Sequence, residues 1–119
     1  MKIALPYERG RIGGHLGHAA YFEIYTTNGD EILGKMLVPT KGSGHEYITS
    51  FLHKLKVDVL ICERMGKPAI LALNEYHIKS YMGVSGSTEG AVARLLEGEL
   101  ENFNTRNIDL SLMDDTCNH

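Results

Sequence analysis

The segment AYFEIYTTNGDEILGKMLVP, residues 20–39, decides how this chain folds. Residues 20–27 are rich in aromatic and β-branched side chains, and residues 31–38 form a second apolar run closed by Pro39. Asn28-Gly29 between such runs is a strong hairpin signal, because the tight turn that matches strand twist needs positive φ at its centre. Working outward, residues 2–7 read as an earlier strand, short and apolar, stopped by Glu8-Arg9-Gly10. The connection from there to residue 20 is too long for a tight turn. Three antiparallel strands, up, down and up, are expected.

Downstream the period changes. In residues 46–56 the apolar positions Tyr47, Ile48, Phe51, Leu52 and Leu55 fall on one helical face, behind a Gly42-Ser43-Gly44 loop. VDVLIC, residues 57–62, is nearly continuous and reads as a fully buried strand. Residues 68–76 read as a helix with Pro68 in its first turn. A fifth strand follows at 78–84, then a helix at 88–100 with Ala91, Val92, Leu95 and Leu96 inward. Helical crossovers make the later strands parallel and lay helices on the faces. The expected fold class is α/β, a ribonuclease H-like three-layer fold. Its mixed five-stranded sheet takes the order 3-2-1-4-5 of the predicted strands. Residues 1–101 would form this domain; residues 102–119 would be an acidic tail of little periodicity, fraying or docking on a partner chain.

At 119 residues, with 43% hydrophobic and 23% charged residues, one soluble domain with a real core is expected. There is no run of about 18 apolar residues to span a membrane, and Met1 to Pro6 is too short for a signal peptide. Cys62 and Cys117 lie too far apart in sequence to suggest a disulfide framework, so a reducing cytoplasm is the expected compartment. The net charge of −3 argues against general nucleic-acid binding. It also hides an asymmetry. From Glu97 onward six acids face one base, Arg106, which leaves residues 1–96 with a balance of +2.

The expected topology brings several loops to one sheet edge: residues 9–19, 41–45, 63–67 and 85–87. Together they carry His15, His18 and His45, the cations Arg9, Arg11, Lys41, Arg64 and Lys67, and much of the glycine, including Gly14 and Gly17. Open α/β sheets place ligands outside the carboxyl ends of their strands, and helix N-termini there favour anions. A glycine-lined, basic, histidine-bearing cleft is expected. Each ingredient also has a plainer reading. Glycines serve turns, loop histidines and surface cations are commonly solvated, and His-x-x-His without a third ligand is a weak metal pattern. His53 and His77 read as structural, and Cys62 as a buried small hydrophobe. There is no G-x-S-x-G elbow, Walker loop or H-E-x-x-H helix. Nor do Glu8 and Glu63 make the carboxylate cluster of a two-metal nuclease.

MKIALP, GGHLGHAAYFEIY, GSGH, VDVLICERMGKPAILALNEYHIKSYMG and GSTEGAVARLLEGEL occur in an order that resembles the dinitrogenase iron-molybdenum cofactor biosynthesis family, the small NifX/NifB-like domains. The resemblance covers roughly residues 1–100. Its most specific parts are the segment from His15 to Phe22 and the helix near Gly90. Leu16 stands where the family has Phe, His18 where Arg is frequent, and His45 alone remains of a histidine-rich loop. The resemblance implies the same ribonuclease H-like fold and a role in binding or carrying an iron–sulfur or iron-molybdenum-type cluster. It marks His15 as the candidate metal ligand.

The resulting expectation is a non-catalytic binding or carrier domain. His15 would be the ligand, with His18 and His45 as possible additions, Gly14 and Gly17 in the lining, and Arg9, Arg11, Lys41 and Lys67 supplying outer charge. Its partners would be a cluster donor or acceptor protein, with no nucleic acid and no membrane. A homodimer through the third predicted strand or the tail is compatible with the sequence but not required by it. The rival reading is an interaction or regulatory module that keeps the fold without a metal ligand.

Overall fold

β1 (Lys2–Glu8) runs through the middle of the sheet and divides its side chains between two cores. Ile3 and Leu5 pack on one side with Tyr25, Val59 and Ile61. Ala4 points to the other, with Phe22, Ile24 and Leu60. This is the two-residue period of a strand buried on both faces. The structure is a computed structural model that describes residues 1–100. The elements after β1 are β2 (Arg11–Ile12), a 3-10 turn (Leu16–His18), β3 (Tyr21–Asn28), β4 (Glu31–Pro39) and α1 (His45–Lys54). There follow β5 (Val59–Ile61), α2 (Lys67–Glu75), β6 (Lys79–Tyr81) and α3 (Thr88–Leu96).

The main path of the sheet is β4-β3-β1-β5-β6, antiparallel from β4 to β1 and parallel from β1 to β6. Helices α1 and α2 contribute Ile48, Leu52, Ala69, Ile70 and Leu73 to the core on one face. Helix α3 contributes Ala91 and Val92 to the other. The layers are therefore helices, mixed sheet, helix.

The expectation of five strands is corrected to six. Off the main path, β2 pairs antiparallel with the end of β1, Tyr7 opposite Ile12 and Glu8 opposite Arg11. The long first connection thus begins with a tight two-residue turn, in which Arg9 (φ 54°) and Gly10 (φ 83°) both take positive φ. Nothing in Arg-Gly advertises that turn as Asn-Gly does. Helix α3 also stops at Leu96 rather than 100, where Gly98 (φ 77°) leaves helical geometry. The expected acidic tail, residues 102–119, lies outside the described residues. Among the described residues no helix is long and apolar enough to cross a membrane.

Candidate functional site

The segment between β2 and β3 is held by backbone hydrogen bonds to three parts of the fold. The Gly13 N–H donates to the Pro6 carbonyl at 2.9 Å, tying the segment to β1. The Leu16 N–H donates to the Arg64 carbonyl at 3.1 Å, tying it to the loop after β5. The Gly44 N–H donates to the Gly17 carbonyl at 3.0 Å, seating the 3-10 turn against the start of α1. The Leu16 side chain is buried in the core beneath α1 and α2. His15 caps the turn, its Nδ1 accepting the Gly17 N–H at 3.1 Å.

These ties leave a cleft of about 580 Å³ between the end of β1 and the start of β3. Gly13, Gly14, His15, His18 and Arg9 line it, along with the carboxylate-bearing Glu8. Its apolar wall includes Pro6, Ala19, Tyr21 and Leu37. The rings of His15 and His18 lie 5.1 Å apart, centroid to centroid, and are tilted by 53°. Arg9 reaches the cleft from a left-handed backbone conformation that costs a non-glycine residue about 1 kcal/mol. Such a conformation is a reason to ask about function at that position.

The structure therefore brings together His15, His18, Gly14 and Arg9 and leaves the other expected residues outside the cleft lining. Gly17 is buried behind the turn, where its backbone is used at both ends. Arg11 lies on β2 and bridges to Ser87. Lys41 is exposed, and its N–H donates to the Tyr47 hydroxyl at 2.8 Å. His45 begins α1 and lines a shallower groove with Thr49 and Pro68. Lys67 begins α2.

The loop of residues 63–67, expected at this edge, brings Glu63 and Arg64 beside the cleft. Arg64 Nε donates to the Gly14 carbonyl at 3.4 Å, and a methyl group added at Gly14 would lie 3.5 Å from Glu63 Oε1. The signal was their position just after a buried strand. Tyr21 and Leu37 were read only as strand residues.

The donor set is small. Among the described residues no group of three His, Cys, Asp or Glu side chains could hold a metal ion. Cys62 is buried in the core with Leu60 and Met65. The tautomer of His15 matters as well. With Nδ1 accepting from Gly17, the neutral ring carries its proton on Nε2. Direct ligation through Nε2 would require that proton to leave or the cap to break.

Comparisons with known proteins agree with this architecture. An uncharacterized protein of Methanocaldococcus jannaschii is 28% identical over 108 residues, spanning 87% of this chain and 92% of its own length. The apo form of the orange protein from Desulfovibrio gigas superposes with a TM-score of 0.75 at 24% identity, over 85% of this chain and 91% of that one. A provisionally named dinitrogenase from Methanocaldococcus jannaschii gives a TM-score of 0.74 at 18% identity, over 89% and 97%. At these identities the structural likeness concerns the fold. The family model for the dinitrogenase iron-molybdenum cofactor matches residues 1–98, most of the chain, and the chain belongs to that family.

Proposed function

We propose that this protein is a non-catalytic binding or carrier domain for an iron–sulfur or iron-molybdenum-type cluster or its precursor, held in the cleft beside β1. The observation that carries this reading is the junction of two imidazoles, a guanidinium and glycine backbone in one cleft of a chain from this family. The cluster is cargo, taken from a donor protein and passed to an acceptor. The described residues do not make a cage for a bare metal ion. They suit a group that arrives with its own sulfide shell and negative charge, for which cationic and hydrogen-bonding side chains are the complement. In this reading His15 and His18 contact the cluster, Gly14 allows close approach, and Arg9 supplies charge. Arg11, Lys41, Lys67, His45 and Gly17 act from outside the cleft, through charge or by shaping the turn. Few ligands mean weak retention, as suits a carrier.

The test is anaerobic titration of the apo-protein with an iron–sulfur cluster donor, followed by visible absorption and thermal stability. Saturable binding that raises Tm and weakens in His18→Ala and His15→Asn supports the reading. Binding indifferent to both substitutions, or none, overturns it. The second reading, an interaction module without a metal ligand, draws on the small donor set and on the His15 cap. Capture of a partner protein by metal-free material would support it.

A further inference from the structure

β4 is apolar and uncovered. Tyr21 beside it and its own Ile32, Leu33, Met36 and Leu37 are between 45% and 60% exposed. β4 ends the main path of the sheet, so one of its edges pairs with β3 and the other meets no described strand. A long apolar edge of this kind invites pairing, and proteins blunt it with charge, proline or cover. Lys35 does not guard it. The Lys35 ammonium turns inward over β3, 3.8 Å from Glu23 Oε2 and 5.7 Å from the Tyr25 ring centre. Pro39 stands only at the strand's end.

The ladder with β3 fixes which backbone groups this edge offers. The Thr40 N–H donates to the Ala20 carbonyl at 2.9 Å, one step beyond the pairing of Tyr21 with Pro39. Hydrogen-bonded pairs alternate with non-bonded ones in an antiparallel ladder. Val38, Met36 and Gly34 therefore turn their backbone groups to β3, and Lys35 and Leu37 turn theirs outward. Consider a second β4 running antiparallel across a two-fold axis. With the axis at Lys35, two lysines stand directly opposite, which their like charge disfavours. With the axis at Leu37, Lys35 faces Pro39, which has no N–H to give. With the axis at Met36, Lys35 and Leu37 of each copy exchange bonds with Leu37 and Lys35 of the other. No like charges then meet.

We infer that this chain pairs with a second copy of itself along β4, with the two-fold axis at Met36, so that the two sheets join into one. Half-exposed side chains in such a strip make an apolar patch of about 500 Å². Two copies joined bury about 1,000 Å², the lower end for a specific interface, which suits a reversible dimer. Leu37 also lines the cleft. The axis sets Leu37 of the partner subunit about 7–8 Å away on the same face. The two clefts then open side by side, each with Lys35 of the partner subunit next to its Leu37. This pairing rests on β4 alone and holds whatever the cleft carries.

Molecular mass by sedimentation, on the full chain over an about hundredfold range of concentration, tests this together with cysteine variants in a Cys117→Ser background. The expected result is a monomer–dimer equilibrium that Met36→Lys, by setting two charges across the axis, weakens at least about tenfold with Tm unchanged. Met36→Cys should link two copies under mild oxidation, because residues at the axis face each other with Cα atoms about 4.5 Å apart. Leu33→Cys, at a position more exposed but away from the axis, should not. A monomer at every concentration overturns the inference. So does a dimer indifferent to Met36→Lys, or one that Leu33→Cys links as readily as Met36→Cys, since another surface or register would then carry it.

Discussion

The hydroxyl of Thr88, the first residue of α3, donates a hydrogen bond to the carboxylate of Glu23 in β3, 65 positions earlier in the chain. The Tyr25 hydroxyl donates to the same oxygen at 2.9 Å. Glu23 and Thr88 are both buried, so the start of α3 is fastened to the sheet through a shielded carboxylate. Glu23→Ala leaves two hydroxyls without their acceptor and should cost about 2–3 kcal/mol. Thr88→Val should cost about 1–2 kcal/mol alone and much less when Glu23 is already gone. A double-mutant cycle by urea unfolding measures the coupling; simple additivity would show that the pair acts independently.

Tyr25 supplies a pH signature for the same group of residues. Burial pushes its hydroxyl up to about 12; Thr88 pulls against this, and the Glu23 hydrogen bond and charge reinforce it. The folded state thus holds the neutral phenol more tightly than the unfolded chain, whose tyrosine titrates near 10. The contribution is complete below about pH 10 and is lost as pH rises toward about 12, amounting to about 2–3 kcal/mol. Unfolding free energy measured from pH 9 to 12 should fall more steeply in the native protein than in Tyr25→Phe. Parallel curves would remove Tyr25 as the cause.

At His15 the scaffold and the ligand can be separated. His15→Ala removes the cap on Gly17 and should cost about 1 kcal/mol, or about 4–8 °C in Tm. Asparagine restores a capping oxygen without an imidazole. His15→Asn should therefore recover most of the stability while leaving cluster retention impaired. Recovery of both would reduce His15 to a structural cap.

Arg9 permits the opposite separation. Arg9→Gly relieves a left-handed residue, so stability should be unchanged or rise by up to about 1 kcal/mol. Retention of an anionic cluster should nevertheless fall with the lost charge. Measuring Tm and cluster dissociation on the same preparation decides the matter; a stability loss would show that the guanidinium is part of the fold.

What the sequence revealed follows from how local each signal is. Val59-Leu60-Ile61 is apolar at every position because both faces of its strand are buried, and Asn28-Gly29 declares its own turn. β2 was hidden because two residues carry no period and Arg9 does not advertise positive φ. The run from Ile32 to Val38 reads as a strand, but its exposure is set by the absence of a further described layer, which no local pattern encodes. At the site, His15 and His18 were visible from chain order. Arg64 was expected there only through the topology, and Tyr21 and Leu37, read as strand residues, become neighbours of the loop only in three dimensions.

The loop bearing the two histidines takes its shape from main-chain bonds of Gly13, Leu16 and Gly17 to Pro6, Arg64 and Gly44. None of those three bonds draws on an imidazole. The loop is in this respect a socket, and residue 18 a fitting that can be exchanged without rebuilding it. A designer could vary position 18, and position 15 among residues able to cap Gly17, to change the cargo while keeping the frame.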